Sequence, residues 1–400
     1  MKSQALEQGT GGGEARPRAR RVPRNGAGAL VLQGVVLVVL ALFAAFIIRN
    51  VVLNVARLNI HMGFAFLSRP AGFEIAQHLV DYSARSTYGA ALEVATLNTL
   101  AISAASCALA TILGFVIGLL RLSKNQLVST VALAYVEVVR NVPLLLQLFF
   151  WYFAVLGTLP LPRQSLGLFG AIYLNRRGLY IPALQPEAGF AAAALALALG
   201  IAIWVGCVFL ARRHPSDTGG ASPLRWVGPA SLVVLLVLAR LLFGAPLAVD
   251  TPQLEGFNFH GGALIIPEFL AMLAGLSIFG AAFVAELVRG GVLAVPRGQT
   301  EAALALGLRG WPINTRIVLP QAMRIILPPL ITQYISILKN SSLGAAIAYP
   351  ELMLVSGTVL NQTGQPIDLM AVTMAIYLAL CLGIAAIGNA INRRFHLAAP

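Results

Sequence analysis

The residues that invite a chemical reading are charged and amide side chains set inside long apolar runs. Lys339 opens the stretch Lys339-Asn340-Ser341-Ser342, about fourteen residues into one such run. Glu137 and Arg140, like Glu286 and Arg289, are spaced i,i+3, so each pair shares one helix face. Asn98 stands with Thr96 and Thr99, and Gln147 lies one helical turn beyond Pro143. Ionisable groups inside a bilayer are costly, so each suggests a role. Lys339 with Asn340 reads either as the polar wall of a solute path, its ammonium attracting a solute carboxylate, or as a hydrogen-bonded helix-packing cluster. The two Glu–Arg pairs read as gates that exchange partners or as intrahelical ion pairs near the headgroups. Asn98 divides evenly between lining and packing. Pro143 removes a backbone hydrogen bond and predicts a kink beside Gln147, which suits a gated pathway.

Covalent chemistry has no comparable support. None of Lys2, Lys124 and Lys339 follows a Gly-rich phosphate loop, so no Walker-type ATP site is present. There is no His-Glu-x-x-His and no Gly-x-Ser-x-Gly. The five His are scattered, and Cys107, Cys207 and Cys381 each fall in an apolar run, which argues against metal sites and a disulfide framework. The expectation is a chain without cofactor that is not itself an enzyme.

The elements that must position these groups follow from composition. Of 400 residues, 58% are hydrophobic and 11% charged. A soluble domain carries about 25% charge, so lipid must solvate most of this chain. Spans need about 20 apolar residues, and eight stretches qualify: 29–48, 93–120, 127–157, 189–211, 228–247, 263–288, 325–348 and 368–391. Residues 1–28 read as a disordered cytoplasmic tail. The first span is too long for a secretion signal and reads as uncleaved. Residues 49–92 form a periplasmic segment, and 158–262 an insertion holding two plain hydrophobic helices. If the first helix runs outward, the segments 1–28, 121–126, 212–227, 289–324 and 392–400 face the cytoplasm with 6, 2, 3, 5 and 2 Lys+Arg, eighteen in all. The outer segments hold seven. Such a bias places both termini inside, and it explains the +13 net charge without nucleic acid.

The stretch 289–324 has the clearest local logic. Gln299–Leu306 consists of good helix formers. Gly307 stands where a helix end often needs a left-handed residue, Pro312 fits the first turn of a second short helix, and Pro320 bends the chain into the next span. The resulting knob mixes Glu301, Arg309 and Arg316 with Leu304, Leu308 and Trp311, an apolar patch with polar edges that implies a docking partner.

Glu301-Ala302-Ala303, then Gly307, then Ile317-x-Leu319-Pro320 resembles, at its spacing, the EAA loop of ABC importer membrane subunits. Leu97-Asn98-Thr99-Leu100, Tyr135-Val-Glu137-Val-Val-Arg140-Asn141-Val-Pro143, Ala285-Glu286-Leu-Val-Arg289 and Ile337-Leu-Lys339-Asn340-Ser341-Ser342 are similar to the spans of polar-amino-acid permeases. The segment His61 to Ile75 resembles the narrower general L-amino-acid permeases. Gly310-Trp311-Pro312 departs from the family's more usual Ser-Pro-Trp order.

The resemblance implies an all-α integral membrane fold. A type I permease core of five helices would occupy 93–392, joined by one N-terminal and two inserted helices. It implies a subunit of an ATP-driven, binding-protein-dependent importer of L-amino acids in the bacterial inner membrane. Its partners would be a cytosolic ABC ATPase dimer coupled through the loop, a second, related permease chain, a periplasmic amino-acid-binding protein and membrane lipid. A stand-alone secondary transporter or channel is the alternative. It would need mid-membrane carboxylates in broken helices, and the spans as read from sequence carry none.

Overall fold

The structure is a computed structural model and describes residues 27–57, 63–213, 224–245 and 247–397. It divides into two units, Met1–Met62 and Gly63–Pro400. In the first, helix α1 runs over Ala27–Arg57. The tail expectation falls almost wholly outside the described residues, as do His61 and His214.

The second unit is built on helices. Thr87 caps α2 (Tyr88–Leu120) by accepting the Ala90 amide, 3.2 Å. Asn125 caps α3 (Gln126–Asn141) through the amides of Leu127 and Val128. Then follow α4 (Leu144–Phe149), which continues as a wider π-turn to Val155, α5 (Phe190–Arg213) and α6 (Leu224–Phe243). Helix α7 (Pro267–Leu293) leads to the short α8 (Arg297–Ala305) and α9 (Trp311–Ile313). The last three are α10 (Leu319–Asn340), α11 (Leu352–Thr363) and α12 (Pro366–Leu397). Among the described residues, six helices are long and apolar enough to cross a membrane, and two bent pairs raise the number to as many as eight.

Small residues let the helices meet closely, as packing within lipid requires. Along α2, a Cβ at Gly114 would lie 2.5 Å from Val284 Cβ, and one at Gly118 2.8 Å from the Ala285 carbonyl. The contact advances along both helices together, so α2 and α7 are parallel. Gly291 meets Ile326 while Gly280 meets Ile337, so α10 runs antiparallel to α7. Buried Val284, Val288, Ala322, Ile326 and Leu330 fill this junction.

The two bends correct the expected spans. Residues 127–157 are not one kinked helix: α3 and the Leu144–Thr158 segment meet at 103°. Val142 is extended ahead of Pro143, as the ring demands of the residue before it. The Gln147 amide donates to the carbonyls of Val139 (2.9 Å) and Val142 (3.0 Å), satisfying the broken end of α3. The run 325–348 likewise extends further. Helical backbone passes through a tight turn at Ser341–Ile347, and Leu352–Thr363 continues after a 53° bend.

The insertion contains strands that the sequence reading passed over, within a fold that remains mostly helical. The strands are β1 (Leu166–Leu168), β2 (Ile172–Asn175), β3 (Gly178–Ile181), β4 (Ala183–Pro186), β5 (Leu247–Asp250), β6 (Gln253–Glu255), β7 (Asn258–His260) and β8 (Ala263–Ile265). They form antiparallel sheets β1-β2-β3-β8, β4-β5 and β6-β7. The strands preceding α5 therefore pair with those following α6, for example Ile181 with Ala263 and Ala183 with Asp250. Between them α5 and α6 pack on each other, with Gly200 against Leu232 and Gly228 against Trp204.

Candidate functional site

The loop after α7 is a small rigid projection. Helix α8 ends in a Schellman turn: the Leu308 amide donates to the Ala303 carbonyl (3.1 Å), and the Gly307 amide to Leu304 (3.0 Å). Gly307 takes a φ of 79° to close it, a left-handed conformation that most residues with a Cβ resist. Gly310, at φ 62° and ψ −124°, turns the chain into Trp311. Ala303 and Ile313 are buried, one on each arm. Glu301, Ala302 and Gly307 face solvent, Ile317 is half-buried, and Leu319 and Pro320 are exposed. Leu306 is 81% exposed and Trp311 78%, with Leu304 beside them.

Pro320 does not bend the chain into a new element. Helical backbone is continuous from Trp311 to Ile347. The missing donor of Pro320 is absorbed by a π-turn at Asn314–Val318, a common way to accommodate an interrupted ladder. The second short helix is thus the head of the long one.

At the root of the projection Glu286 accepts from two cations. Arg289 Nη2 donates at 2.6 Å, and Arg121, at the end of α2, pairs with the other carboxylate oxygen. The i,i+3 pair is therefore part of a cluster that ties α2 to α7. The second predicted pair is not formed: among the described residues Glu137 and Arg140 share no ion pair. Arg140 instead places its guanidinium 5.0 Å from the Phe283 ring centre, leaving exposed Glu137 to its own helix.

Asn98 is fully buried, and its amide donates to the carbonyls of Gln77 (2.7 Å) and Pro350 (2.9 Å). Thr99 Oγ1 accepts the Leu352 amide at 3.0 Å. These bonds tie α2 to the loop at Gln77 and to the bend before α11, which is what the packing alternative expects. Gln147 is committed to the break after α3. Lys339 borders a cleft of about 340 Å³ shared with Ser342, Met353, Tyr377, Leu378 and Cys381. Asn340 is half-buried next to it.

Comparison with known proteins decides what this arrangement belongs to. Residues 216–397 match the family described as the binding-protein-dependent transport system inner membrane component. The provisionally named amino-acid ABC transporter permease protein YhdX of Escherichia coli is 48% identical over 353 residues, 87% of this chain and 89% of that one. The chain belongs to this family. The general L-amino acid transport system permease protein AapQ of Rhizobium johnstonii is 42% identical over 90% of both chains. The glutamate/glutamine/aspartate/asparagine transport system permease protein BztB of Rhodobacter capsulatus is 35% identical over 90% of this chain and 92% of that one. The chain is thus an ABC transporter permease, a multi-pass inner-membrane protein, and the stand-alone transporter reading falls away.

The permease holds one acidic group that the sequence reading left outside the spans. Glu351 is fully buried at the bend between α10 and α11. Its carboxylate accepts the amides of Met353 and Leu354, both 2.7 Å, and the Tyr377 hydroxyl, 2.9 Å. Glu351 thereby caps α11 and holds α12 to it. The usable signal was an acidic residue immediately before an apolar helix, with Pro350 in front. Arg121 was missed for another reason, since it looked like a loop cation.

Proposed function

We propose that this permease carries L-amino acids inward as one membrane subunit of an ATP-driven importer. The observation that carries the coupling role is the projection itself: a capped helix exposing Leu304, Leu306 and Trp311, edged by Glu301 and Arg309, on the head of α10. Such a surface suits a cleft on a soluble partner, which in this family's setting is a cytosolic ABC ATPase. The loop 289–324 and both termini then face the cytoplasm. The domain scheme is 93–392 as permease domain, interrupted by 158–262. A second, related permease chain and a periplasmic amino-acid-binding protein complete the assembly, and the names of the relatives support amino acids as the cargo.

Glu301→Lys and Trp311→Ala test this reading. Both variants should reach the membrane in normal amount, release the ATPase on purification and lose uptake of labelled amino acids. Full uptake with the ATPase retained in both would refute the coupling role.

A further inference from the structure

A cavity of about 180 Å³ opens where the α4 segment meets the insertion, lined by Tyr152, Phe153, Leu156, Gly157, Arg176 and Pro267. Pro267 begins α7, so the cavity stands at the end of that helix opposite the coupling projection, about 40 Å away along 27 residues. Arg176 sits in the tight turn between β2 and β3, and that turn is rigidly built. Buried Asn175 donates to Ser165 Oγ (2.9 Å) and accepts the Arg177 amide (2.8 Å), while the Arg176 amide donates to the Pro160 carbonyl (3.0 Å). Among the described residues the Arg176 guanidinium has no ion pair or hydrogen bond, whereas its neighbour Arg177 is bonded to Asn258. The Tyr152 hydroxyl, also on the cavity, donates to the Glu268 carboxylate at 2.8 Å. Phe153, Leu156 and Pro267 supply apolar wall.

We propose that this cavity is a binding site for a small α-amino acid, its carboxylate forked onto Arg176 and its ammonium turned toward the Tyr152–Glu268 pair. Arg is the side chain whose planar donors match a carboxylate in two bonds. An exposed, unpaired cation and a carboxylate-backed phenol lining the same cavity beside apolar side chains are complementary to a small zwitterion. Gly157 keeps the space open: a Cβ there would meet nothing nearer than the Tyr152 carbonyl oxygen at 3.4 Å. A larger residue therefore fits the backbone and fills the cavity. The inference rests on the amino-acid reading above and adds where the cargo first meets the permease.

The test is equilibrium binding of radiolabelled L-alanine to the purified membrane complex with its ATPase, without a binding protein. Arg176→Gln and Gly157→Leu should each weaken binding about tenfold or more, while Arg177→Gln should leave it unchanged. Alanine methyl ester, which lacks the carboxylate charge, should fail to compete. Absence of saturable binding by the unaltered complex, unchanged binding in both variants, or effective competition by the ester would overturn the site. Uptake by the complete transporter, measured in parallel, separates the two levels. Uptake indifferent to both variants sinks the cavity alone, whereas an unaltered transporter that moves no amino acid sinks the broader reading.

Discussion

Gly307 offers the sharpest test of how the coupling projection is held. Its φ of 79° belongs to the left-handed region, which costs an ordinary L-residue about 1–2 kcal/mol. Nothing lies within 4 Å of a Cβ built there, so any penalty comes from the backbone and not from collision. Helix α8 has nine residues, too few to stand in water without its cap and packing. A loss of about 1–2 kcal/mol lowers the ratio of ordered to disordered projection by about 5–30-fold. Gly307→Asn should be nearly neutral, because Asn tolerates this conformation. Gly307→Ala should be intermediate, and Gly307→Val worst, since branching at Cβ narrows the allowed backbone. The assay is limited trypsin cleavage of the purified protein after Arg297 and Arg309, which flank the turn, read beside ATPase retention and uptake. Cleavage rate should rise, and uptake fall, in the order Asn, Ala, Val. If Asn is as damaging as Val, or if Val is cleaved no faster than glycine, the left-handed cap is not what orders the projection.

Three further perturbations have distinct expected outcomes. Gly114→Leu drives a side chain into Val284 and should cost about 1–3 kcal/mol or more of bundle stability, seen as loss of a monodisperse peak in detergent. Gly157→Leu, the same change where a Cβ meets only an ordinary contact at 3.4 Å, should keep that peak. Glu286→Gln leaves the Arg121 and Arg289 guanidinium groups without their carboxylate and should lower the melting temperature more than Arg289→Gln does. Equal shifts would mean the tie to α2 contributes nothing. Glu351→Ala strips the cap from α11 and the partner from Tyr377. A cap of this kind is worth about 0.5–2 kcal/mol, so faster amide exchange at Met353 and Leu354 is expected, with exchange around Gly307 unchanged.

The parts legible in the sequence are those whose causes are local. Gly307 and the helix formers before it lie within ten positions, so the short helix and its end could be derived without knowing the fold. Hydropathy likewise located the long unbroken apolar helices α2, α5, α6, α7 and α12 to within about five residues, and failed at the two bent segments. Illegible features depend on partners far along the chain. Glu286 and Arg289 are visible as a pair, but Arg121 joins them from 165 positions away. Glu351 resembles any exposed acid until Tyr377 and the start of α11 enclose it. Pro143 announced a break, yet a bend of 103° requires the Gln147 amide to satisfy the exposed carbonyls, which no residue count reveals. The strands of the insertion are three or four residues long, too short to leave an alternating pattern.

The pairing of Ile181 with Ala263 has a consequence for the history of the chain. Paired backbones in a sheet stand about 5 Å apart, so the polypeptide leaves at residue 182 and returns at 262 almost to its point of departure. Everything between, the α5–α6 hairpin included, is a cassette whose two ends already touch, and it is anchored to its flank where Phe259 packs on Tyr173 and Tyr180 and Asn258 meets Arg177. Because the cassette adds helices in a pair, its gain or loss reverses the direction of no later span, and α7 would begin on the same side of the bilayer either way. Elaborations acquired by such a fold are expected to arrive at strand-paired seams of this kind, in even numbers.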